Sequence, residues 1–189
     1  MKKTKFNVFI ITILCILVWG SINLMGHLND EIIIATVNGE PIEKHTIDNM
    51  KETYEINGSS ISEKELLDRV IEHKVLEQVA RKMQIEVSDD VVDDYIKEAK
   101  IVIQEDEEIY DFHTSYLQEW DISDDAYWEM MWEDYKTLLS LGELRKEVLS
   151  NESILMNGPM SSELRKEKEV IWNDFVRNEM EKANIEYID

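Results

Sequence analysis

One segment with helical periodicity determines the fold class more firmly than any other feature of the chain. In residues 62–83 the apolar side chains form a single wide face, which comprises Leu66, Leu67, Val70, Ile71, Val75, Leu76, Val79, Ala80 and Met83. Ser62 and Glu65 match a capping box, in which each side chain accepts a hydrogen bond from a backbone N–H that the first helical turn leaves free. The segment is therefore predicted to be a core helix.

Similar patterns predict helices over most of the remaining chain. They begin near Lys44, after Ser88, at the acidic residues 105–108, after Ser123 (a long helix over about 124–149) and at about 163, the last running to about 183. The chain has only six Gly and two Pro, which argues against a loop-rich or all-β fold. Residues 150–162 hold one of the prolines and are predicted to be a loop between the last two helices.

Two extended segments are predicted near opposite ends of the domain. Asn38-Gly39 lies between two apolar stretches and is typical of a type I′ hairpin turn, because both central residues must accept positive φ. This turn predicts a strand over 32–37 and a second extended segment after it. Residues 184–189 also alternate as a strand does, and the strand at 32–37 is its obvious partner. The predicted fold is mainly α, with a small β element that pairs the N- and C-terminal ends of the domain.

The first 26 residues are predicted to anchor the chain in a membrane. Three lysines precede an apolar run from Phe6 to Met25, whose helical length of roughly 30 Å matches a bilayer core. The lysines place the N-terminus in the cytoplasm. A cleaved signal peptide and lipid attachment at Cys15 are alternatives, although an A-x-A-like site and a small residue before Cys15 are both lacking. We expect a single-pass protein of the cell membrane, with residues 1–5 cytoplasmic, a transmembrane anchor at 6–26 and an extracytoplasmic domain at 32–189.

Charge and composition exclude several classes of function. The chain has 20 basic and 41 acidic residues, and residues 86–134 hold 18 acids but only two bases. Nucleic acid is not an expected partner, since phosphate binding requires clustered Lys and Arg. One Cys excludes an intrachain disulfide framework and a thiolate zinc site. No acidic segment has the spacing of a calcium loop, and no HExxH or GxSxG motif occurs. We expect no metal, no cofactor and no enzymatic activity, with His45, His73 and His113 at the surface or at helix caps.

Three motifs follow one another in the first half of the domain. They are VNGEPI at 37–42, a Leu- and Ile-rich helix over 66–85 that ends in the element A-x-K-x-x-I, and the helix start VSDDV at 87–91. This order resembles the N-terminal chaperone domain of SurA- and PrsA-type proteins, most clearly over 35–100 and less closely over 100–149. The final helix and strand are similar to the segment that completes this domain after the isomerase domain of such proteins.

The chain departs from the family layout at one point. Such proteins usually carry a parvulin prolyl-isomerase domain between the two parts of the chaperone domain. Here only the 13 residues of the predicted loop separate them, with one Gly and no His. The resemblance therefore implies a chaperone-like binding domain and does not extend to isomerase activity.

Large aromatic and thioether side chains in the second half of the domain form the candidate binding surface. Core packing would account for such side chains, but they also suit a groove that accepts varied apolar segments. The residues predicted to bind clients are Tyr116, Trp120, Trp128, Met131, Trp132 and Trp172.

Two functions are compatible with these features. The first is a membrane-anchored chaperone-like protein that binds unfolded or secreted polypeptides without nucleotide and without isomerase chemistry. The second is an accessory subunit that uses the same fold to hold one specific membrane or secreted partner. In either case a net charge of −21 would keep the protein soluble, and it would favour basic clients.

Overall fold

The computed structural model describes residues 32–56, 59–151 and 162–188. Strands β1 (Ile33–Val37) and β2 (Glu40–Glu43) open this part of the chain, and strand β3 (Ile185–Tyr187) ends it. Between them the described residues form six helices: α1 (Lys44–Ile56), α2 (Glu63–Lys82), α3 (Asp89–Glu105), α4 (Glu107–Glu119), α5 (Asp124–Asn151) and α6 (Ser162–Lys182). The prediction of a mainly helical fold with a small β element is confirmed.

Strand β1 is the centre of an antiparallel sheet with the order β2-β1-β3. Asn38 and Gly39 connect β1 to β2 with φ angles of 51° and 84°, both positive, as a type I′ turn requires. Strand β3 pairs with the other edge of β1. The Asn38 N–H donates to the Asn184 carbonyl at 2.8 Å, and the Asn184 N–H donates to Asn38 Oδ1 at 2.8 Å. The predicted pairing between the two ends of the domain is thus confirmed.

Polar side chains define where several helices begin. Ser62 Oγ and Ser123 Oγ each accept a hydrogen bond from the backbone N–H three residues later, at 3.2 Å in both cases. Asp106 Oδ1 accepts from the N–H groups two and three residues later, at 3.1 and 3.2 Å, and so separates α4 from α3 within the acidic run. Ser88 precedes α3 but makes no side-chain capping bond there. Capping satisfies N–H groups that have no partner inside the helix.

Three apolar clusters form the core of the described residues. The first packs the sheet against α1 and the N-terminal half of α2. The second joins the C-terminal half of α2 to Leu144 of α5, with side chains of α6 around them. The third lies between α3, α4 and the N-terminal half of α5, around Tyr127, Met131 and Tyr135. Helix α5 contributes to two clusters and therefore joins the α3–α4 hairpin to the half of the domain that contains the sheet.

The buried face of α2 differs in detail from the predicted stripe. The buried side chains are Leu66, Val70, Ile71, Val75, Leu76 and Ala80. Leu67 and Val79 are only partly buried, and Met83 is 42% exposed where it caps the helix. Helix α2 contacts α1 and β1 as well as α5 and α6, which widens its buried face, while the C-cap residue Met83 stays exposed.

The predicted localisation in the cell membrane is corrected by the structure. Among residues 32–56, 59–151 and 162–188, no helix combines the length and the apolar character needed to cross a bilayer, since each helix is either too short or too rich in charged residues. The predicted anchor at residues 6–26, like the cytoplasmic segment 1–5, lies outside the described residues.

The hairpin turn provides a test of backbone conformation with a built-in control. A Cβ at Gly39 would meet no atom within 4 Å, so Gly39→Ala adds strain only through its φ of +84°. We expect a loss of about 1–2 kcal/mol in the free energy of unfolding. Gly142, in α5, also has open space, and its φ is ordinary for a helix. Gly142→Ala should therefore stabilise by about 0.5–1 kcal/mol. Urea unfolding followed by circular dichroism measures both changes in stability. Equal effects of the two substitutions would contradict the assignment of strain to the positive φ at Gly39.

Candidate functional site

The structure brings five of the six predicted client-binding residues together. Helix α4 and its C-cap supply Tyr116 and Trp120, while α5 supplies Trp128, Met131 and Trp132. All five belong to the third cluster or pack against it. The sixth residue, Trp172 on α6, lies in the second cluster, where its ring stacks on Phe175 at a centroid distance of 5.6 Å.

Burial divides these residues into two groups. Tyr116, Trp128 and Met131 expose 7%, 5% and 0% of their surface. Trp120, Trp132 and Trp172 remain partly exposed. A side chain in the core of the folded domain has no surface to offer a bound polypeptide, so direct contact would fall to these three tryptophans. The binding role of the set as a whole stays a prediction.

Four buried aromatic rings pack on one another next to the partly exposed Trp120 and Trp132. We call these four residues the aromatic wall: Tyr116, Tyr127, Trp128 and Tyr135. Tyr127 meets Trp128 edge to face at 5.1 Å and Tyr116 edge to face at 5.8 Å. Trp128 also stacks on Tyr135 at 6.2 Å, and Tyr116 lies 6.0 Å from Trp120. Aromatic pairs in these arrangements contribute more than their buried area alone. Trp120 and Trp132 therefore pack against a tightly packed aromatic core.

One carboxylate, Asp124 at the start of α5, satisfies two buried side chains at this wall. Its Oδ1 lies 2.8 Å from His113 Nε2 and accepts a hydrogen bond from Trp128 Nε1 at 3.0 Å. His113 is only 5% exposed and packs edge to face against Tyr127. The prediction of a surface or capping position is therefore wrong for His113, because the carboxylate and the rings together make a buried site that accepts an imidazole.

The hydrogen bonds that Asp124 accepts from His113 and Trp128 can be tested separately from its negative charge. Asp124→Ala removes the acceptor of the buried His113 and Trp128 rings, although the Asp124 side chain is itself 52% exposed, so we expect a loss of about 2 kcal/mol in the free energy of unfolding. Asp125→Ala removes the same charge from the same helical turn, where the side chain is exposed. That control should cost less than about 1 kcal/mol through the helix dipole. Denaturant unfolding compares the two variants, and equal losses would show that the two hydrogen bonds to Asp124 contribute nothing.

Trp132 connects the aromatic wall to a neighbouring ion-pair network. Its Nε1 donates to Asp93 Oδ1 on α3 at 2.9 Å, and Lys136 Nζ lies 5.1 Å from its ring centroid. Lys136 pairs with Glu86 at 2.8 Å and with Asp89 at 3.0 Å. The hydrogen bonds to these two carboxylates raise the pKa of Lys136, which therefore stays charged.

A cleft of about 460 Å³ lies beside this network, between the C-terminal end of α2 and the middle of α5. The cleft could not be predicted from the sequence, because its walls come from distant parts of the chain and its acids do not stand out among the 41 acidic residues. Its lining residues are Glu77, Ala80, Arg81, Gln84, Ile85, Glu86, Glu133, Lys136, Thr137, Ser140 and Leu141.

Asp134 on α5 follows the cleft-lining Glu133 in the chain but does not itself line the cleft, and its side chain is largely buried. Its Oδ2 is enclosed by protein and has no hydrogen-bond partner among the described residues. Burial, reinforced by the negative charges of Glu77 on α2 and Glu133 on α5, raises the pKa of Asp134 from 3.8 to about 7. The α2–α5 contact therefore contains a group whose charge changes near neutral pH.

This raised pKa predicts how the stability of the domain depends on pH. The folded state binds more protons than the unfolded state between about pH 4 and pH 7, so the free energy of unfolding should fall as pH rises through that range. Asp134→Asn should remove a penalty on the order of 3 kcal/mol at pH 8 and little at pH 4. Urea unfolding from pH 4 to pH 8 measures both slopes, with the exposed Asp111→Asn as the control. A variant with an unchanged pH slope would contradict the buried, unpartnered carboxylate.

No metal-binding group is apparent in the described residues. In residues 32–56, 59–151 and 162–188, no set of three or more His, Cys, Asp or Glu side chains is arranged to hold an ion. The dense negative charge of α3 and α4 is instead largely exposed to solvent.

The fold defines the class of protein: a helical domain whose small sheet joins its two ends and whose buried aromatic wall is bordered by partly exposed tryptophans. Comparison with known families then shows that residues 1–137 match the SurA-like N-terminal domain. The chain belongs to this family. No parvulin domain is matched with it. No curated protein and no solved structure gives a match. The matched range ends within α5, so α6 and β3 lie beyond it.

Proposed function

We propose that this chain binds unfolded or secreted polypeptides as a chaperone-like domain, through apolar contacts and without nucleotide. The match to the SurA-like N-terminal domain over residues 1–137 carries the proposal. We further propose that it acts without prolyl isomerisation. Only ten residues, 152–161, separate α5 from α6, which is far too few for a parvulin domain at the place where related proteins carry one.

Exposed apolar side chains on the α3–α4 hairpin support this proposal. Ile101 on α3 and Tyr110 on α4 are 53% and 50% exposed, and they lie five residues before and four residues after the cap at Asp106. Helices α3 and α4 and the N-terminal half of α5 form a three-helix unit, and Trp120 and Trp132 are partly exposed on this unit. Exposed apolar side chains of this kind are available for weak contacts with many different apolar segments.

The charge of the same unit favours a particular class of client. Residues 86–134, which include all of α3 and α4, hold 18 acids and two bases. A surface with one sign of charge attracts segments of the opposite sign and repels like-charged ones. It also keeps a protein with exposed apolar groups in solution. We therefore propose that clients combine apolar and basic residues.

Suppression of aggregation tests the proposed function directly. The full 189-residue chain should suppress light scattering by an unrelated, chemically unfolded protein at near-equimolar ratio without ATP. The double variant Ile101→Gln, Tyr110→Gln should require roughly three- to tenfold more protein for the same effect, since it removes two exposed apolar contacts.

Val170→Gln is the matched control for this experiment. Val170 is 58% exposed but lies on α6, outside the three-helix unit, so its loss should leave suppression unchanged. Absence of suppression by protein shown to be folded would contradict general client binding. The dedicated accessory subunit would then be the better explanation, and crosslinking in intact cells would be expected to yield a single partner.

A further inference from the structure

We propose that the free edge of strand β3 (Ile185–Tyr187) pairs with an extended client segment in which a basic residue lies between two apolar ones. This inference rests on the proposed function, because it names how one part of a bound polypeptide would be recognised. It concerns a different surface from the aromatic wall and the α3–α4 hairpin.

The hydrogen-bond ladder between β3 and β1 leaves one edge of β3 without a partner. The sheet order β2-β1-β3 makes β3 an edge strand. Its Glu186 pairs with Thr36 of β1, and the N–H of Ile188, two residues further on, donates to a β1 carbonyl at 2.9 Å. Successive residues of a strand direct their N–H and C=O groups to opposite sides. The backbone groups of Ile185 and Tyr187 therefore face away from β1, where no described residue bonds to them.

The opposite edge of the sheet is protected against such pairing. Strand β2 contains Pro41, which has no N–H to donate, and two charged residues, Glu40 and Glu43. Proline and charged side chains are common means by which edge strands avoid further pairing. Strand β3 has no proline and a single charged residue. Its edge is therefore the one at which an added strand can continue the ladder.

Exposed apolar side chains lie beside the free edge. Of the nine large apolar side chains that are exposed in the described part of the chain, four lie where β1 begins and β3 ends: Ile32, Ile33, Tyr187 and Ile188. Tyr187 exposes 62% of its surface and Ile188 exposes 47%. An added strand would cover part of this apolar surface while its backbone bonds to the edge, which is a general mode of peptide recognition.

Cross-strand pairing specifies which client residues fit this edge. In an antiparallel arrangement, a client residue opposite Ile185 or Tyr187 would exchange hydrogen bonds with it and place its side chain on the same face of the sheet. That face includes Val37 and Ala35, which pair with Ile185 and Tyr187 and are buried. Apolar client side chains therefore fit at these two positions.

Glu186 provides the charge complementarity for the position between them. Its side chain is exposed and accepts a hydrogen bond from Asn184 Nδ2 at 2.9 Å, but it forms no ion pair with any described residue. It lies on the opposite face from Tyr187, because successive side chains of a strand alternate. Opposite charges at directly paired positions stabilise antiparallel strands. A lysine or arginine across from Glu186 is therefore the matching residue.

N-methylated peptides test the pairing through its hydrogen bonds. The parent is a short unfolded peptide of alternating leucine and arginine, labelled for fluorescence anisotropy and titrated with the full chain. In the proposed pairing the leucine N–H groups donate to the carbonyls of Ile185 and Tyr187, whereas the arginine N–H groups face away. Methylation of the leucine nitrogens removes two hydrogen bonds and should weaken binding about tenfold or more. Methylation of the arginine nitrogens is the matched control and should change binding less than about twofold.

Two variants at one position locate the pairing on β3. Tyr187→Pro removes an N–H that faces away from β1, so the ladder within the sheet can remain, and Tyr187→Val removes the ring but keeps that N–H. The proline variant should bind the parent peptide roughly three- to tenfold more weakly than the valine variant. Circular dichroism checks that both variants fold, and the methylated peptides test the proposal on the unaltered chain.

A pair of charge variants tests the role of Glu186. Glu186→Gln should reduce the preference for the parent peptide over one with citrulline in place of arginine, since citrulline retains the shape of arginine without its charge. Glu167→Gln, exposed on α6, changes the net charge equally and should leave that preference unchanged. Equal effects of the two variants would contradict a direct pairing with Glu186.

The outcomes separate this proposal from the one on which it depends. Equal binding of the parent and both methylated peptides would overturn the edge pairing and leave the proposed function intact, and equal weakening by both methylations would also overturn it. A dimer in analytical ultracentrifugation that Tyr187→Pro dissociates would place a second copy, rather than a client, at the edge. If no peptide binds the folded protein, the proposed function fails, and the edge pairing fails with it.

Discussion

The packing of α5 in two separate apolar clusters is the constraint on which the rest of the structure depends. Its N-terminal half packs between α3 and α4, and its C-terminal half, through Leu144, packs against α2 and α6. A helix is stiff over this length, so the α3–α4 hairpin has a defined position relative to the sheet. The aromatic wall and the cleft both exist because one helix serves two cores.

Two carboxylates on α5 show how environment decides what a charge contributes. Asp124 accepts hydrogen bonds from two buried partners, so its charge completes the packing around His113 and Trp128. Asp134 lies ten residues further along, enclosed near Glu77 and without a partner for one oxygen, which raises its pKa. Asp124 therefore contributes through the hydrogen bonds that it accepts, whereas Asp134 is more easily accommodated in its neutral form.

Much of the fold could be predicted because its signals are local. The hairpin at Asn38 and Gly39, the caps at Ser62 and Ser123, and the amphipathic pattern of α2 depend on neighbouring residues only. The pairing of β3 with β1 was also predictable, since the strand at 32–37 was the obvious partner for a strand at the end of the domain. The candidate site was harder to predict. A tryptophan on an apolar face has the same sequence signature whether it lies in the core, as Trp128 does, or at its edge, as Trp132 does.

The sequence alone determined a helical domain, its turn and cap positions and its charge, because these follow from spacing and composition. Three of its motifs also carried the resemblance to SurA-type chaperone domains. Only the tertiary structure decided which aromatic side chains reach solvent, that His113 is buried, and that Glu77 and Glu133 share a cleft. These facts depend on how distant helices approach one another. Burial and electrostatic environment arise from that approach, and no periodicity within one segment encodes them.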